Sequence, residues 1–397
     1  MKIIILNWTK GNNDPFTYGN NLIAQYLQEN GRPARVLDIE TPNLANALQA
    51  EKETGIDFVL TCQGFGSDFQ IAGKDNKQVS MWSHLGIPLI CVHADHPSIM
   101  PDHHTLESPL CKHLYYDEDA CLFSNQYFRS AISASMTCTC PLDVYSPSAE
   151  KPEGKYFVLM KNLEHPDALE KQWKTMLSPA FFAFFMRVVE QVKALVLTST
   201  HFVDFHAILD KAIADDATMR ALHHKENHHA LFLWHRHLDL YVRHFKSVEL
   251  LKRLREYPVR VFGKGWDIEK AKANNNHTFH DGVDMAASKK LYYSEYGILD
   301  VSPFRGLHDR SLRAIYNRTA FLSDADISRK FPGFPDYAEV FYNFSGETLE
   351  ARCENIMRNP QKYRDLAIAF SKEYQIVNPA NEFVKSLDIH AQSMRRI

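Results

Sequence analysis

The chain reads as an α/β protein with two doubly wound parallel sheets and a helical stretch between them. Three observations predict this. Apolar strands such as Ile3–Leu6 and Leu89–Val92 are continuous rather than alternating, as strands buried on both faces must be. Segments of helical period separate them. A middle block then loses this rhythm and becomes almost wholly helical before the alternation returns.

Taken in order, Lys2–Leu6 is a first strand, and Asn20–Gln28 a helix with Leu22, Ile23, Tyr26 and Leu27 on one face. Gly31-Arg32-Pro33 breaks that helix before a strand at Arg35–Ile39. A helix at Pro42–Lys52 opens on proline. A strand at Phe58–Thr61, a short helix at Val79–Leu85 and strands at Leu89–Val92 and Ala120–Phe123 follow. Residues 160–256 carry Trp234, Leu238, Tyr241, Phe245 and Val248 at spacings of 4, 3, 4 and 3, one core-facing stripe of a long helix. From Val259 the strands resume at Val259–Phe262, Ile298–Val301, Ala320–Leu322 and Val340–Tyr342. Helices at Thr348–Met357 and Gln361–Tyr374 and a helical tail from Asn381 close the chain.

The division expected is a Rossmann-like domain at 1–150, a helical connection at 151–255 and a second Rossmann-like domain at 256–380. The tail at 381–397 is placed as a helix crossing back to the first domain. Two such domains are expected to face a cleft, with ligands outside the carboxyl ends of the strands.

At 397 residues with a net charge of −3, nothing in the charge balance points to nucleic acid or an anionic membrane. The greasiest piece, from Phe181, is interrupted by Arg187 and Glu190, so no membrane span is expected. The apolar run after Met1-Lys2 reads as a strand rather than a secretion signal. Seven cysteines, an odd number, suit reduced thiols and a cytoplasmic location. Cys138-Thr139-Cys140 is too tight for a redox or zinc pair.

The most informative stretch is Gly297–Asp324, a strand, a polar loop, a helix and a second strand. Its loop places Arg305, Gly306, His308, Asp309 and Arg310 at a helix N-terminus, where free N–H groups and the helix dipole favour a phosphate. The simpler alternative is an N-cap by Asp309 with solvated arginines. Gly263-Lys264-Gly265 also follows a strand and could bring amides and a point charge to a phosphate, or could be only a turn. The loop Gly11, Asn12, Asn13 and Asp14 is either a cleft loop or an ordinary turn. Asp95 and His96 end a buried strand and are candidates for a general base, or they order the nearby Asp102-His103-His104 loop. Asp324-Ala325-Asp326 is a D-x-D, but a full second βα domain surrounds it. Contact of Asp324 with a sugar or ribose is preferred to a metal site. His224 and His228 have chelating spacing without a third ligand nearby and read as a solvated face.

The order VRVFGKGWD (259–267), HDGV (280–283), LYYSEYGILDVSPFRGLHDRSLRAIYN (291–317) and AFLSD (320–324) resembles the C-terminal half of CgeB-like GT-B glycosyltransferases. FPDYAEVFYN (334–343) and NPQKYRDLA (359–367) fit the same pattern, and LGIPLICVHADHP (85–97) resembles the family more loosely. The resemblance implies a nucleotide-sugar donor, as substrate rather than cofactor, on the C-terminal domain. It places the family's His-Asp-Arg at His308, Asp309 and Arg310. The acceptor it implies is a glycan, a protein or a small molecule. Many GT-B enzymes carry two glutamates eight positions apart in this unit. Arg305 and Arg313 stand there instead, which leans the reading toward inversion without metal. A non-catalytic protein of the same fold that binds a nucleotide sugar or a glycan is the alternative.

Overall fold

The computed structural model describes residues 2–8, 15–73, 77–104, 108–128, 132–135, 155–220, 228–284, 287–288, 291–292, 296–302, 305–328, 331, 333–377 and 380–394. They divide into two compact units, Met1–Asp143 with Asn378–Ile397, and Val144–Val377. No helix among the described residues is long and apolar enough to cross a membrane.

The first unit runs β1 (Lys2–Asn7), α1 (Pro15–Glu29), β2 (Ala34–Asp38), α2 (Leu44–Glu53), β3 (Ile56–Cys62), a small hairpin β4 (Gln70–Ala72) and β5 (Gln78–Ser80), and α3 (Met81–Leu85). It continues through β6 (Leu89–His93), β7 (Cys111–Tyr115), α4 (Glu118–Tyr127) and β8 (Ile132–Ser135). Six of these strands form one sheet in the order β2-β1-β3-β6-β7-β8, and every pairing in it is parallel. Ile3, Ile5, Phe58, Leu60, Ile90 and Val92 fill one face, and Ile4, Leu6, Val59, Leu89 and Cys91 the other. Burial on both faces is why these strands lack alternation. The tail helix Ala380–Met394 lays Leu387, Ala391 and Met394 into the first face, and Arg32 pairs with Asp388 at 2.6 Å.

Ala120–Phe123 is not a strand. It lies inside α4, which Asp117 caps by accepting from the Ala120 amide. The fifth parallel strand is Cys111–Tyr115, whose outward Lys112 interrupts the apolar run that marks the others.

The second unit opens on β9 (Phe157–Met160). Helices α5 (Pro166–Met176), α6 (Pro179–Thr198), α7 (Phe205–Asp215) and α8 (His228–Arg253) follow. Then come β10 (Val259–Phe262), α9 (Asp267–Lys272), β11 (His277–His280), β12 (Gly297–Asp300), α10 (Asp309–Tyr316) and β13 (Phe321–Ser323), with further helices Thr348–Arg358 and Pro360–Val377. Its sheet is parallel in the order β11-β10-β9-β12-β13. The helical stretch is therefore part of this unit, and its first four-residue strand is the sheet's central one. The α8 stripe of Trp234, Leu238, Tyr241, Phe245 and Val248 is buried. It packs with α5 and α6 through rings such as Trp234 on Phe185, 4.6 Å between centroids. Val340–Tyr342 is not a strand. A 3-10 helix covers Phe334–Val340, and Phe341 makes only an isolated bridge to Ser323.

Two glycines decide how β9 and β10 leave the sheet. A Cβ on Gly263 would lie 2.1 Å from the Lys161 carbonyl oxygen, and one on Gly265 1.8 Å from that of Leu163, with φ at +147° and +87°. Gly265→Ala should therefore cost more than about 2 kcal/mol, from left-handed strain plus backbone displacement. The nearest control is Gly282→Ala, where an added Cβ meets nothing within 4 Å. Equal melting temperatures for the two variants would contradict this.

Candidate functional site

In the second sheet, β9 is the strand from which the order departs in both directions, so the crevice for a ligand falls outside the carboxyl ends of β9 and β12. Lys161 is the first residue after β9, and Asp300 is the last of β12. The exit of β9 is clamped by Trp266 Nε1, which donates to the Lys161 carbonyl at 2.7 Å, and by the Leu163 amide, which donates to Lys264 O at 2.9 Å. Asp300 is fully buried and accepts from Ser311 Oγ at 2.6 Å and from Arg310 Nη1 at 3.3 Å. His308 Nδ1 stands 3.8 Å from the same carboxylate and contacts Asp309. From α8, Arg243 pairs with buried Asp239 at 2.7 Å, and the neighbouring His244 Nδ1 accepts from the Glu164 amide at 3.2 Å.

These groups form one electrostatic cluster. Burial, then the Arg310 and Arg243 guanidiniums, push Lys161 down to about 7, while Asp300 and Asp239 pull the other way. Burial, with Lys161 next, likewise takes His244 down to about 4, so it sits neutral beside the cations. Lys161, Arg243, Arg310 and Arg313 against Asp239, Asp300 and Asp309 leave a surplus of one positive charge when Lys161 is protonated. An anion there restores the balance.

The residues expected to hold a phosphate thus separate. His308 and Arg310 lie at the strand ends with Lys161 and Arg243. Asp309 opens α10, but the N-cap position belongs to His308. Arg305 turns the other way, with its guanidinium 5.0 Å from the centre of the Phe202 ring and 3.6 Å from Asp326. Gly306 accepts from Ser302 Oγ at 2.9 Å, which shapes the loop. The Asp324 side chain is only 4% exposed; it is paired with Lys246 at 2.7 Å and accepts from the Ser302 amide at 2.5 Å. With Asp326 held by Arg305 and Ser328, the D-x-D carboxylates are both turned to protein partners.

Asp324, Asp326, Lys246, Phe202, Tyr342 and Arg352 are among the residues that line a cavity of about 320 Å³. It lies on the carboxyl side of β13, next to the cationic cluster through Ser302, whose carbonyl accepts from Lys246 at 3.2 Å.

The Gly263-Lys264-Gly265 expectation needs correction. The Gly263 amide donates to His280 O at 3.0 Å and the Lys264 amide to Asn162 Oδ1 at 3.0 Å, so neither is offered to a phosphate. The glycines are there because the β9 exit packs against their backbone. Lys264 itself is exposed.

In the first unit, Asp95 is half-buried and accepts from Gln63 Nε2 at 2.8 Å, while His96 is buried and caps the next turn through Ser98, at 2.8 Å to its Oγ. His96 is thus committed to structure. Gly11, Asn12 and Asn13 fall outside the described residues, as do residues 221–227 of the His-rich run and Cys138–Cys140. At the start of that loop, Trp8 is 48% exposed and stacks on Phe65 at 4.6 Å, a flat apolar platform beyond β1.

Sequence reasoning missed Lys161 and Arg243. Lys161 follows a four-residue apolar run that reads as the edge of a helical region, and Arg243 sits on the polar side of an apolar stripe. The one available signal was the apolar Phe157–Met160 run itself, ending in a lysine.

No protein-family model and no curated protein matches the sequence. Solved structures do match over the whole chain. Sucrose-phosphate synthase from Thermosynechococcus elongatus superposes with a TM-score of 0.55 at 8% identity, covering 100% of both chains. Phage T4 BGT, in complex with its UDP-glucose substrate, gives 0.53 at 9% identity over 98% of this chain and 100% of its own. The same phage enzyme with UDP and Mn2+ gives 0.51 at 9% identity, covering 99% of each chain. At this identity the likeness is one of fold: two parallel-sheet, Rossmann-like units in the architecture of the GT-B glycosyltransferases.

Proposed function

We propose that the protein is a glycosyltransferase of GT-B type that moves a sugar from a nucleotide-diphosphate sugar to an acceptor hydroxyl or other nucleophile. The observation that supports this most is the surplus of positive charge where β9 and β12 end, with Lys161, Arg243 and Arg310 converging beside Asp300. Such a cluster neutralises charge that builds on a departing diphosphate, the largest electrostatic task of the reaction. The reading is metal-independent, because side-chain cations take that role. Arg305 and Arg313, standing where a glutamate pair would be, lean the reading toward transfer with inversion. Asp95, which keeps solvent exposure where His96 does not, is assigned the acceptor proton. The CgeB-like subtype rests on the residues 259–324 quoted above, and the acceptor class stays with glycan, protein or small molecule. Trp8 on Phe65 supplies an apolar face for an acceptor ring.

The test is a thermal-shift screen of UDP-, GDP- and dTDP-sugars, with and without EDTA, followed by release of free nucleotide. Stabilisation by at least one donor, with slow release that survives EDTA, is expected. Binding without release from any donor indicates a non-catalytic binder, and no stabilisation by any donor defeats the reading. A pH series adds a second check. Lys161 is held at about 7, so it is cationic below that pH and neutral above it. Nucleotide affinity should therefore weaken as pH rises from 6 through 8, roughly tenfold for loss of about 1.4 kcal/mol of attraction. A flat profile would remove Lys161 from the site.

A further inference from the structure

On the first sheet, β6 carries Cys91 and His93, and β7 carries Cys111, His113 and Tyr115, in a register that sets Cys91 opposite His113. Period-two alternation turns all five side chains to one face of the sheet. All are buried: Cys91 at 0% exposure, Cys111 at 3% and His113 at 2%. The donor atoms of Cys91, Cys111 and His113 lie within 4.8 Å of one another.

We infer that Cys91, Cys111 and His113 form a zinc site of the protein, with His113 ligating through Nε2 and a water completing the tetrahedron. The spacing carries the inference. Cys91 Sγ and Cys111 Sγ are 3.7 Å apart, and Cys111 Sγ and His113 Nε2 are 3.5 Å apart. Tetrahedral zinc with its usual bond lengths to sulfur and imidazole nitrogen has edges of about 3.8 Å between sulfurs and about 3.6 Å between sulfur and nitrogen. The remaining ring nitrogen of His113 is already engaged, since Nδ1 lies 2.9 Å from His93 Nε2. A ligating histidine characteristically donates its second N–H to such a partner, which fixes its tautomer and orientation.

His93, His104 and His113 form a second buried triad sharing His113. Two facts favour the thiol side. The 2.9 Å between His93 and His113 suits a hydrogen bond and is short of the roughly 3.3 Å edge between two zinc-bound nitrogens. His104 Nδ1 is moreover bonded to the Tyr115 hydroxyl at 2.7 Å. Charge decides the matter further. Zinc entering the site displaces one proton from each thiol, and two thiolates neutralise the dication, whereas three neutral imidazoles would leave its full charge in the core. Soft thiolates with one imidazole also select zinc over magnesium or calcium. The ion would tie β6 to β7 at Cys91, four residues before Asp95, and so brace the strand end that leads to Asp95.

The experiment uses the untagged full chain, purified without chelator from zinc-supplemented medium, with metal counted by mass spectrometry. Roughly one zinc per chain is expected. Cys91→Ser/Cys111→Ser should lose it, and His224→Ala/His228→Ala should keep it, which excludes the His-rich run as the source. Because the serine pair can compromise folding, the wild-type chain loaded with Co2+ provides an independent reading, a tetrahedral spectrum with a thiolate charge-transfer band. No bound zinc together with no such band overturns the inference, as does a cobalt spectrum without thiolate, or a mass two protons short from a Cys91–Cys111 disulfide.

Discussion

Arg310→Ala is expected to lower turnover of the donor by about 10²- to 10³-fold, the loss typical of removing one preorganised group that meets transition-state charge. Arg310 is the second residue of α10, where its guanidinium reaches Asp300 and repels Lys161. The substitution leaves Asp300 its hydrogen bond from Ser311, so the sheet and α10 should remain folded, checked by an unchanged circular dichroism spectrum. A second signature separates loss of charge from loss of shape. Without Arg310 the repulsion on Lys161 falls, Lys161 titrates higher, and the weakening of nucleotide affinity moves to more alkaline pH. Arg310→Lys should recover part of the turnover, since the charge returns without the planar fork. Turnover unchanged in the alanine variant would remove the phosphate role of the α10 terminus.

The largest stability effect is expected at Lys246. Its ammonium and the Asp324 carboxylate are both buried, 2.7 Å apart, and burial raises Asp324 while Lys246 restrains that rise. Lys246→Met leaves a buried carboxylate without its cation, which costs about 3–5 kcal/mol. The sign with pH follows. In the variant the folded-state pKa of Asp324 climbs further above its unfolded value, so the penalty is largest at neutral pH. It shrinks on acidification, as protonation removes the buried charge. Adding Asp324→Asn to Lys246→Met should recover much of the loss, and chemical denaturation of the three variants at two pH values measures it. A single variant as stable as the parent would mean that the cavity wall accommodates Asp324 without its partner. Since the pair also holds the Ser302 backbone, loosening of the β12–α10 loop and weaker nucleotide binding should accompany the unfolding change.

Much of the architecture was legible because parallel strands buried on both faces produce apolar runs that need no partner to be recognised. Ile3–Leu6 and Leu89–Val92 are of this kind, as are Ile298 and Leu299 of β12, and the helical stripe of α8 carried its own period. Failures came where local composition was ambiguous. Ala120–Phe123 is as apolar as a strand, yet Asp117 caps it into a helix, while the true strand Cys111–Tyr115 presents lysine and histidine within its five residues. Gly263-Lys264-Gly265 matched a phosphate loop in composition, but its glycines answer to the carbonyls of Lys161 and Leu163, roughly a hundred residues earlier.

The candidate site shows the same division. The alternation of strands and helices, the chain's place among doubly wound α/β folds and a cationic loop at the start of α10 could all be read beforehand, because each is written in contiguous residues. That Lys161 and Arg243 join Arg310, that Arg305 leaves it for Asp326, and that Asp324 belongs to Lys246 emerges only once the chain is folded. Crossover connections place β9 between β10 and β12, and charge balance in a buried crevice depends on which side chains those neighbours bring together.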